Sequence, residues 1–112
     1  MKLINRTNNG QLHFCKCCDT YQLEFGNLFI SLKKKDFASF QKYIAEVDEE
    51  KSIEANRNKP FNRKIFLSFP VKNVFFCLHS HELHELRELL FITKQVSKND
   101  LETLLFTKIF IN

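Results

Sequence analysis

Two segments of this chain carry the same order of side chains, and each has the pattern of a strand followed by a helix. Residues 27–44 read NLFISLKKKDFASFQKYI, and residues 73–90, 46 positions later, read NVFFCLHSHELHELRELL. In both, a short apolar run precedes apolar residues at helical spacing. Strand–helix units produce this similarity by patterning alone, so an internal duplication and a shared pattern are both open explanations. Either one predicts a chain that combines strands with helices.

Alternation of apolar and polar side chains predicts five strands. They run from Leu12 to Cys17 and over residues 21–25, 28–32, 65–69 and 74–78. Gly26 and Asn27 form a tight turn between the second and third strands, because both tolerate positive φ. Pro70 ends the fourth strand, since proline has no N–H for the ladder.

Helical periodicity predicts one helix over Asp36–Val47 and another over His81–Gln95, with Ser80 as its N-cap. Residues 98–112 fit two structures, because leucines follow helical spacing up to Leu105 and strand alternation follows from there; a helix is favoured. The predicted fold is therefore α+β in the order βββα-ββα. It has one antiparallel sheet of about five strands, two helices on one face, and a C-terminal helix.

Length and composition predict one domain over residues 1–112. Apolar residues make up 44% of the chain and 13 are phenylalanine, so a core can form without a disulfide or a metal. Residues 1–10 are expected to be a flexible N-terminus. Residues 48–62 are polar and are expected to form a surface loop between the two halves.

Charge and hydropathy limit the partners. The net charge is +4, but only four of the 17 basic residues are arginine, which argues against nucleic acid as the main partner. No stretch has the length of a membrane span, and the first residues do not resemble a signal peptide, so a cytoplasmic protein without a membrane partner is expected. In that compartment cysteines are reduced thiols, metal ligands or small buried side chains.

The second face of the predicted sheet has an unusual composition, with thiols, imidazoles and phenylalanines where charged residues would be typical. We predict a binding surface there, formed by His13, Cys17, Phe29, Phe66 and Phe75. An apolar face of this size is seldom left in water by a monomer. The C-terminal tail, a second copy in a homodimer, another protein or a ligand would cover it.

Two short clusters suggest metal binding. The candidate ligands are Cys15, Cys18, Cys77, His79 and His81, with Cys17 as a substitute. Cys15 and Cys18 have C-x₂-C spacing, and thiolate with imidazole suits tetrahedral Zn²⁺. Against this, Cys77 and His79 on one extended strand would be about 6–7 Å apart, which is wide for one ion. The alternative is that the cysteines are small buried hydrophobes. No cofactor is therefore expected, and if these candidate ligands hold a metal, it would be zinc.

Other chemistry has weaker support. The chain has only two glycines and no glycine-rich phosphate loop or catalytic triad pattern, so we do not expect an enzyme. A thiol-redox centre would need a helix after the cysteines, and none is predicted there. Phe29, Phe66 and Phe75 on one sheet, with Lys33–Lys35 nearby, would make a stacking platform for RNA or single-stranded DNA, which is a further alternative.

The pattern H-x-C-x-C at residues 13–17, followed by L-x-F-G-N at residues 23–27 and a strand–helix unit, resembles a family of short uncharacterised bacterial proteins, a domain of unknown function. The resemblance implies a soluble cytosolic protein and supplies no catalytic residue. The predicted function is a small non-enzymatic binding or interaction module that forms a homodimer or binds another protein. Zinc binding and RNA or single-stranded DNA binding are the alternatives.

Overall fold

A computed structural model of the protein describes residues 1–68 and 73–91, which fall into two compact units. Unit 1 consists of Met1–Glu46 together with the chain from Glu85 onward, and unit 2 is Val47–His84. The α+β class is confirmed. The strands, however, divide between a four-stranded antiparallel sheet and a two-stranded sheet, instead of forming one sheet of about five strands. The single domain over residues 1–112 stays a prediction.

The sheet of unit 1 has four consecutive strands in the order β1-β2-β3-β4. Their bounds are β1 Lys2–Thr7, β2 Gly10–Cys15, β3 Thr20–Phe25 and β4 Leu28–Lys33. The last three confirm predicted strands, and Gly26 has φ +61° in the β3–β4 turn. The flexible N-terminus predicted for residues 1–10 is wrong, because β1 pairs with β2 there. Its buried positions are the polar Asn5 and Thr7, so β1 lacks the apolar alternation of the others.

Two helices cover the apolar face of this sheet. They are α1, Lys34–Glu46, and the second half of α3, Ser80–Leu90. Phe37, Phe40 and Ile44 of α1 are buried, and the Phe37 ring stacks on Tyr21 with centroids 4.0 Å apart. Leu86, Leu89 and Leu90 of α3 have no exposed surface. Burying one such side chain contributes about 1.5–3 kcal/mol, so this layer dominates the stability of unit 1.

Side chains satisfy the carbonyls at the end of α3, which have no partner within the helix. The buried Asn5 amide Nδ2 donates to the Glu88 and Leu89 carbonyls at 3.1 and 3.2 Å, and Gln41 Nε2 donates to the Leu90 carbonyl at 2.8 Å. The helix ends at Leu90. The rest of the predicted second helix, the predicted helix over 98–112 and the predicted strand end at residues 69–70 lie outside the described residues.

Unit 2 contains α2, Glu49–Ala55, β5, Ile65–Ser68, β6, Phe75–Leu78, and the first half of α3. The loop predicted for residues 48–62 is wrong over α2. Asp48 caps this helix, since its side chain accepts the Lys51 N–H at 3.0 Å. None of the residues of α2 is buried, so the sequence shows no apolar stripe. Among the described residues, no helix is long and apolar enough to cross a membrane.

The start of α3 differs from the prediction. Ser80 was expected to be the N-cap, but it lies inside the helix, and His79 occupies the cap position. The His79 N–H donates to Glu82 Oε1 at 2.7 Å, and its carbonyl accepts the Leu83 N–H at 3.0 Å. Arg63 forms two hydrogen bonds to the Glu82 carboxylate, at 2.9 and 3.1 Å. Glu82 therefore joins the helix start to the segment before β5.

We expect Gly10→Ala to destabilise the protein by about 1–3 kcal/mol, the usual cost of overpacking a core. A Cβ at Gly10 would lie 2.6 Å from Leu89 Cδ2 and 2.9 Å from the Glu24 carbonyl oxygen. Urea denaturation followed by circular dichroism measures the change. The matched control is Gly26→Asn, because nothing lies within 4 Å of that position and asparagine tolerates its φ of +61°. Equal stability of Gly10→Ala and the native chain would contradict the close packing.

We expect the ion pair between Arg63 and Glu82 to make stability depend on acid pH. Hydrogen bonds from Arg63 hold the pKa of the Glu82 carboxyl at about 2, below its ordinary 4.5. The contribution is therefore present above about pH 4.5 and is lost as the pH falls toward 2. Half of the Arg63 side chain is exposed, so the pair contributes no more than about 1 kcal/mol. Glu82→Gln should be less stable than the native chain at pH 7, and the difference should shrink as the pH falls from about 4.5 and through 2. Arg63→Gln should behave in the same way, and a stability difference that stays constant with pH would contradict this assignment.

Candidate metal centre

The turn between β2 and β3 brings three thiols together. Strand β2 ends at Cys15, which pairs with Thr20 at the start of β3, and residues 16–19 form the turn. Asp19 has φ +55°, a conformation that aspartate tolerates better than most residues. The predicted strand to Cys17 was two residues too long. Cys17 and Cys18 therefore lie in the turn and not on a sheet face, and their positions follow from a short hairpin closed on both sides by paired strands.

The sulfur atoms are spaced as the ligands of one ion would be. Cys15 Sγ lies 3.5 Å from Cys17 Sγ, and Cys17 Sγ lies 3.8 Å from Cys18 Sγ. All three lie within 4.8 Å of one another. A tetrahedral zinc with sulfur at about 2.3 Å has sulfur–sulfur edges of about 3.8 Å. The three sulfurs are therefore a group that could hold a metal ion. Cys17, expected only as a substitute ligand, is a full member of the cluster.

Exposure separates the three thiols. Cys15 is buried, with 7% of its surface exposed, whereas Cys17 and Cys18 are exposed. Hydrogen bonds from Cys18 and from Cys17 lower the pKa of the Cys15 thiol. The same contacts, with the charge of the neighbouring sulfurs, raise the pKa of Cys18 to about 11. The Cys15 thiol therefore ionises more readily than the Cys18 thiol.

The other predicted ligands, Cys77, His79 and His81, belong to unit 2, whereas the cysteine turn belongs to unit 1. Cys77 is half-buried on β6, and this burial raises the pKa of its thiol. The His79 and His81 rings stack with centroids 5.5 Å apart. Their participation with Cys15 and Cys18 in one site stays a prediction.

The predicted binding surface is divided between the two sheets. His13 and Phe29 lie on the outward face of the four-stranded sheet, where they line a cavity of about 270 Å³ together with Met1, Gln11, Gln22 and Glu24. Phe29 is 63% exposed. Phe66 and Phe75 belong instead to the β5–β6 pair. The prediction that Phe29, Phe66 and Phe75 lie on one sheet, as a stacking platform for RNA would require, is wrong. Phe29 lies in the four-stranded sheet, whereas Phe66 and Phe75 lie in the two-stranded sheet.

An aromatic groove lies on unit 2, with a volume of about 580 Å³. Phe61, Phe66 and Phe75 line it, with centroid distances of 6.2 Å and 5.8 Å between successive rings. Phe61 and Phe75 are 57% and 51% exposed. Sequence reasoning missed Phe61, since it stands in a segment without alternation. The pair Pro60-Phe61, apolar within a polar stretch, was the available signal.

Comparison with known sequences identifies the family. The sequence model of a family of unknown function matches residues 1–111. The chain belongs to this family, DUF6686. The predicted resemblance to a domain of unknown function is confirmed, whereas bacterial origin stays a prediction. No curated protein and no solved structure matches the chain. The function of this family member therefore has to be argued from its sites.

Proposed function

We propose that this protein is a small, non-enzymatic module that binds a thiophilic metal ion, Zn²⁺ in the first place, through Cys15, Cys17 and Cys18. The observation that carries the proposal is the sulfur spacing of 3.5 and 3.8 Å within one hairpin turn. Thiolates select zinc and similar soft ions over magnesium or calcium. Because strands β2 and β3 pair up to Cys15 and Thr20, the ligands are held near their positions before the metal arrives.

The explanation that these cysteines are small buried hydrophobes accounts for only part of the cluster. Free cysteine often has that role, and Cys15, which is buried, fits it. It does not suit Cys17 and Cys18, which are exposed. A redox centre of the C-x₂-C type uses a helix N-terminus to stabilise its thiolate, but this turn leads into strand β3. Metal binding uses all three thiols together.

The proposal includes a reducing compartment. All four cysteines of the chain are free thiols, and disulfides form and persist mainly outside the cytosol. We therefore propose the cytosol as the location. There the three clustered thiols stay reduced and available as ligands.

We expect Cys18→Ser to weaken zinc binding by at least about tenfold, because even the outer partners of a metal site are worth about 10–100-fold in affinity. The same is expected of Cys17→Ser. Both side chains are exposed, so neither substitution should unfold the chain. The untagged, chelator-treated protein would be titrated with Zn²⁺ against a competing chelator under argon, with circular dichroism as the check on folding.

The matched control is Cys77→Ser, which removes a thiol of unit 2 and leaves the turn intact. Equal zinc affinity of this variant and the native chain would mean that the three cysteines at the turn are sufficient to bind the ion. Weaker binding would support the predicted four-ligand set with Cys77. Less than a tenth of an equivalent of zinc in the native chain, or unchanged binding in both turn variants, would refute the proposed function.

A second candidate function is self-association through the aromatic groove of unit 2. The groove leaves Phe61 and Phe75 more than half exposed, and exposed apolar patches commonly mark protein contacts. The occupant that we propose is the same groove of a second copy, since a two-fold dimer places one patch against itself. This keeps the homodimer as a proposal that is independent of the metal.

We expect Phe75→Ser and Phe61→Ser to convert a micromolar dimer into a monomer, because each removes an aromatic ring from the groove. Sedimentation velocity over a range of concentrations measures the mass. The control is Phe29→Ser, which removes an equally exposed ring from the other sheet. A native chain that sediments as a monomer at all concentrations would exclude this interface.

A further inference from the structure

The metal that the turn would bind has three ligands among the residues of unit 1 that the structure describes. Among the described residues of this unit, the cluster of metal-ligating side chains consists of Cys15, Cys17 and Cys18. The next carboxylate along the chain, Asp19, forms an ion pair with Lys34 at 3.4 Å. The hydroxyl of Thr20 accepts a hydrogen bond from Gln22 Nε2 at 3.0 Å. A tetrahedral ion on these sulfurs therefore keeps one vertex without a ligand from the described residues of unit 1.

The exposure of the thiols makes that vertex accessible. Cys17 and Cys18 lie at the surface of the turn, and only Cys15 is buried. Structural zinc sites are closed by four protein ligands, whereas sites that exchange ligands keep a position open. Three thiolates give a site that is sulfur-rich, and a soft ion in it takes a further sulfur donor readily.

Lysines surround the turn. Lys16 is part of it, and Lys34 reaches Asp19. Lys33 lies in the same row of the sheet as Cys15, because Cys15 pairs with Thr20 and Thr20 pairs with Lys33. Residues paired in this way share a face, so Lys33 is about 10 Å from Cys15 on the side where its sulfur lies. Because Asp19 offsets the charge of Lys34, Lys16 and Lys33 supply the positive charge that favours an anionic ligand over a neutral or cationic one.

We propose that the open vertex takes an external thiol, and that small thiols carrying negative charge are preferred. The inference rests on the proposed metal function. In the binding step the sulfur of the incoming thiol displaces a water molecule from the ion, and its proton passes to the solvent. No oxidant or reductant takes part, since all sulfurs remain at the thiolate level.

The test uses the full chain loaded with one equivalent of Cd²⁺, a spectroscopic substitute for zinc. Reduced glutathione, 2-mercaptoethanol and cysteamine, which are anionic, neutral and cationic, are each added at equal thiolate concentration. Sulfur-to-cadmium absorbance should rise by about a third as three sulfur bonds become four. Cadmium NMR separates the two coordination numbers. Half-saturation should come at the lowest concentration with glutathione and at the highest with cysteamine.

Each thiol binds as its thiolate, so Lys33→Gln should raise the half-saturating concentration of 2-mercaptoethanol by about twofold, the effect of one charge at about 10 Å in water. The rise should be larger for glutathione, which carries a further negative charge, and smallest for cysteamine, whose ammonium offsets its thiolate. Lys42→Gln, on the exposed side of α1, is the matched control and should change none of the three. An order of affinity that does not follow charge, or an equal shift for both lysine variants, would overturn the preference for anionic thiols.

The remaining outcomes separate this inference from the proposed function. Cadmium that binds but does not respond to any thiol refutes the open vertex and leaves metal binding intact. Four sulfurs without added thiol, reduced to three by Cys77→Ser, show that the chain closes its own site and also refute the inference. A chain that binds no cadmium refutes the proposed function itself.

Discussion

The apolar face of the four-stranded sheet has to be covered, and unit 1 is built around that requirement. Helices α1 and α3 supply the cover, with Phe40, Ile44 and Leu89 almost without exposed surface. Burial alone would leave the end of α3 with unsatisfied carbonyls in the same layer. The buried amide of Asn5 donates to two of them, and so attaches strand β1 to the helix by hydrogen bonds as well as by packing. Gly10 then lets α3 approach the sheet closely enough for Leu89 to pack, since no Cβ stands between them.

 

The same sheet fixes the chemistry on its other side. Because side chains alternate along a strand, the register that buries Leu12 and Leu23 places Cys15, Thr20 and Lys33 in one row on the opposite face. A shift of the strand register by one residue would exchange the side chains of the two sheet faces, so burial of the core specifies the position of the Cys15 thiol. The turn that follows Cys15 is closed on both sides by this pairing. The pairing of β2 with β3 therefore keeps the three sulfurs close together, and the packing of the core on the other face of the sheet fixes that pairing.

Much of this was accessible from the sequence, and the parts that were not have physical reasons. Strands β2 to β4 and helix α1 were predicted because their apolar residues follow clear periods. Strand β1 was missed because its inward positions are Asn5 and Thr7, whose burial depends on partners in α3 that are about 80 residues away. The Asn9-Gly10 pair was a hairpin signal that could have located it. Helix α2 was missed because it buries no residue, and its start is marked only by the Asp48 cap. The cluster of Cys15, Cys17 and Cys18 needed the turn geometry, since a strand carried on to Cys17 would have pointed Cys18 to the opposite face.

Under the proposed function, the cysteine turn serves ligand binding and is not needed for folding. A structural zinc contributes folding energy because the domain around it has too little core of its own. Unit 1 already buries a layer of leucine, isoleucine and phenylalanine between its sheet and two helices, and Cys17 and Cys18 lie outside that layer. The fold therefore does not require the ion. The two exposed thiols, Cys17 and Cys18, contribute little to stability, so under the proposed function the cluster is a site whose geometry the fold maintains while the ligand is free to enter and leave.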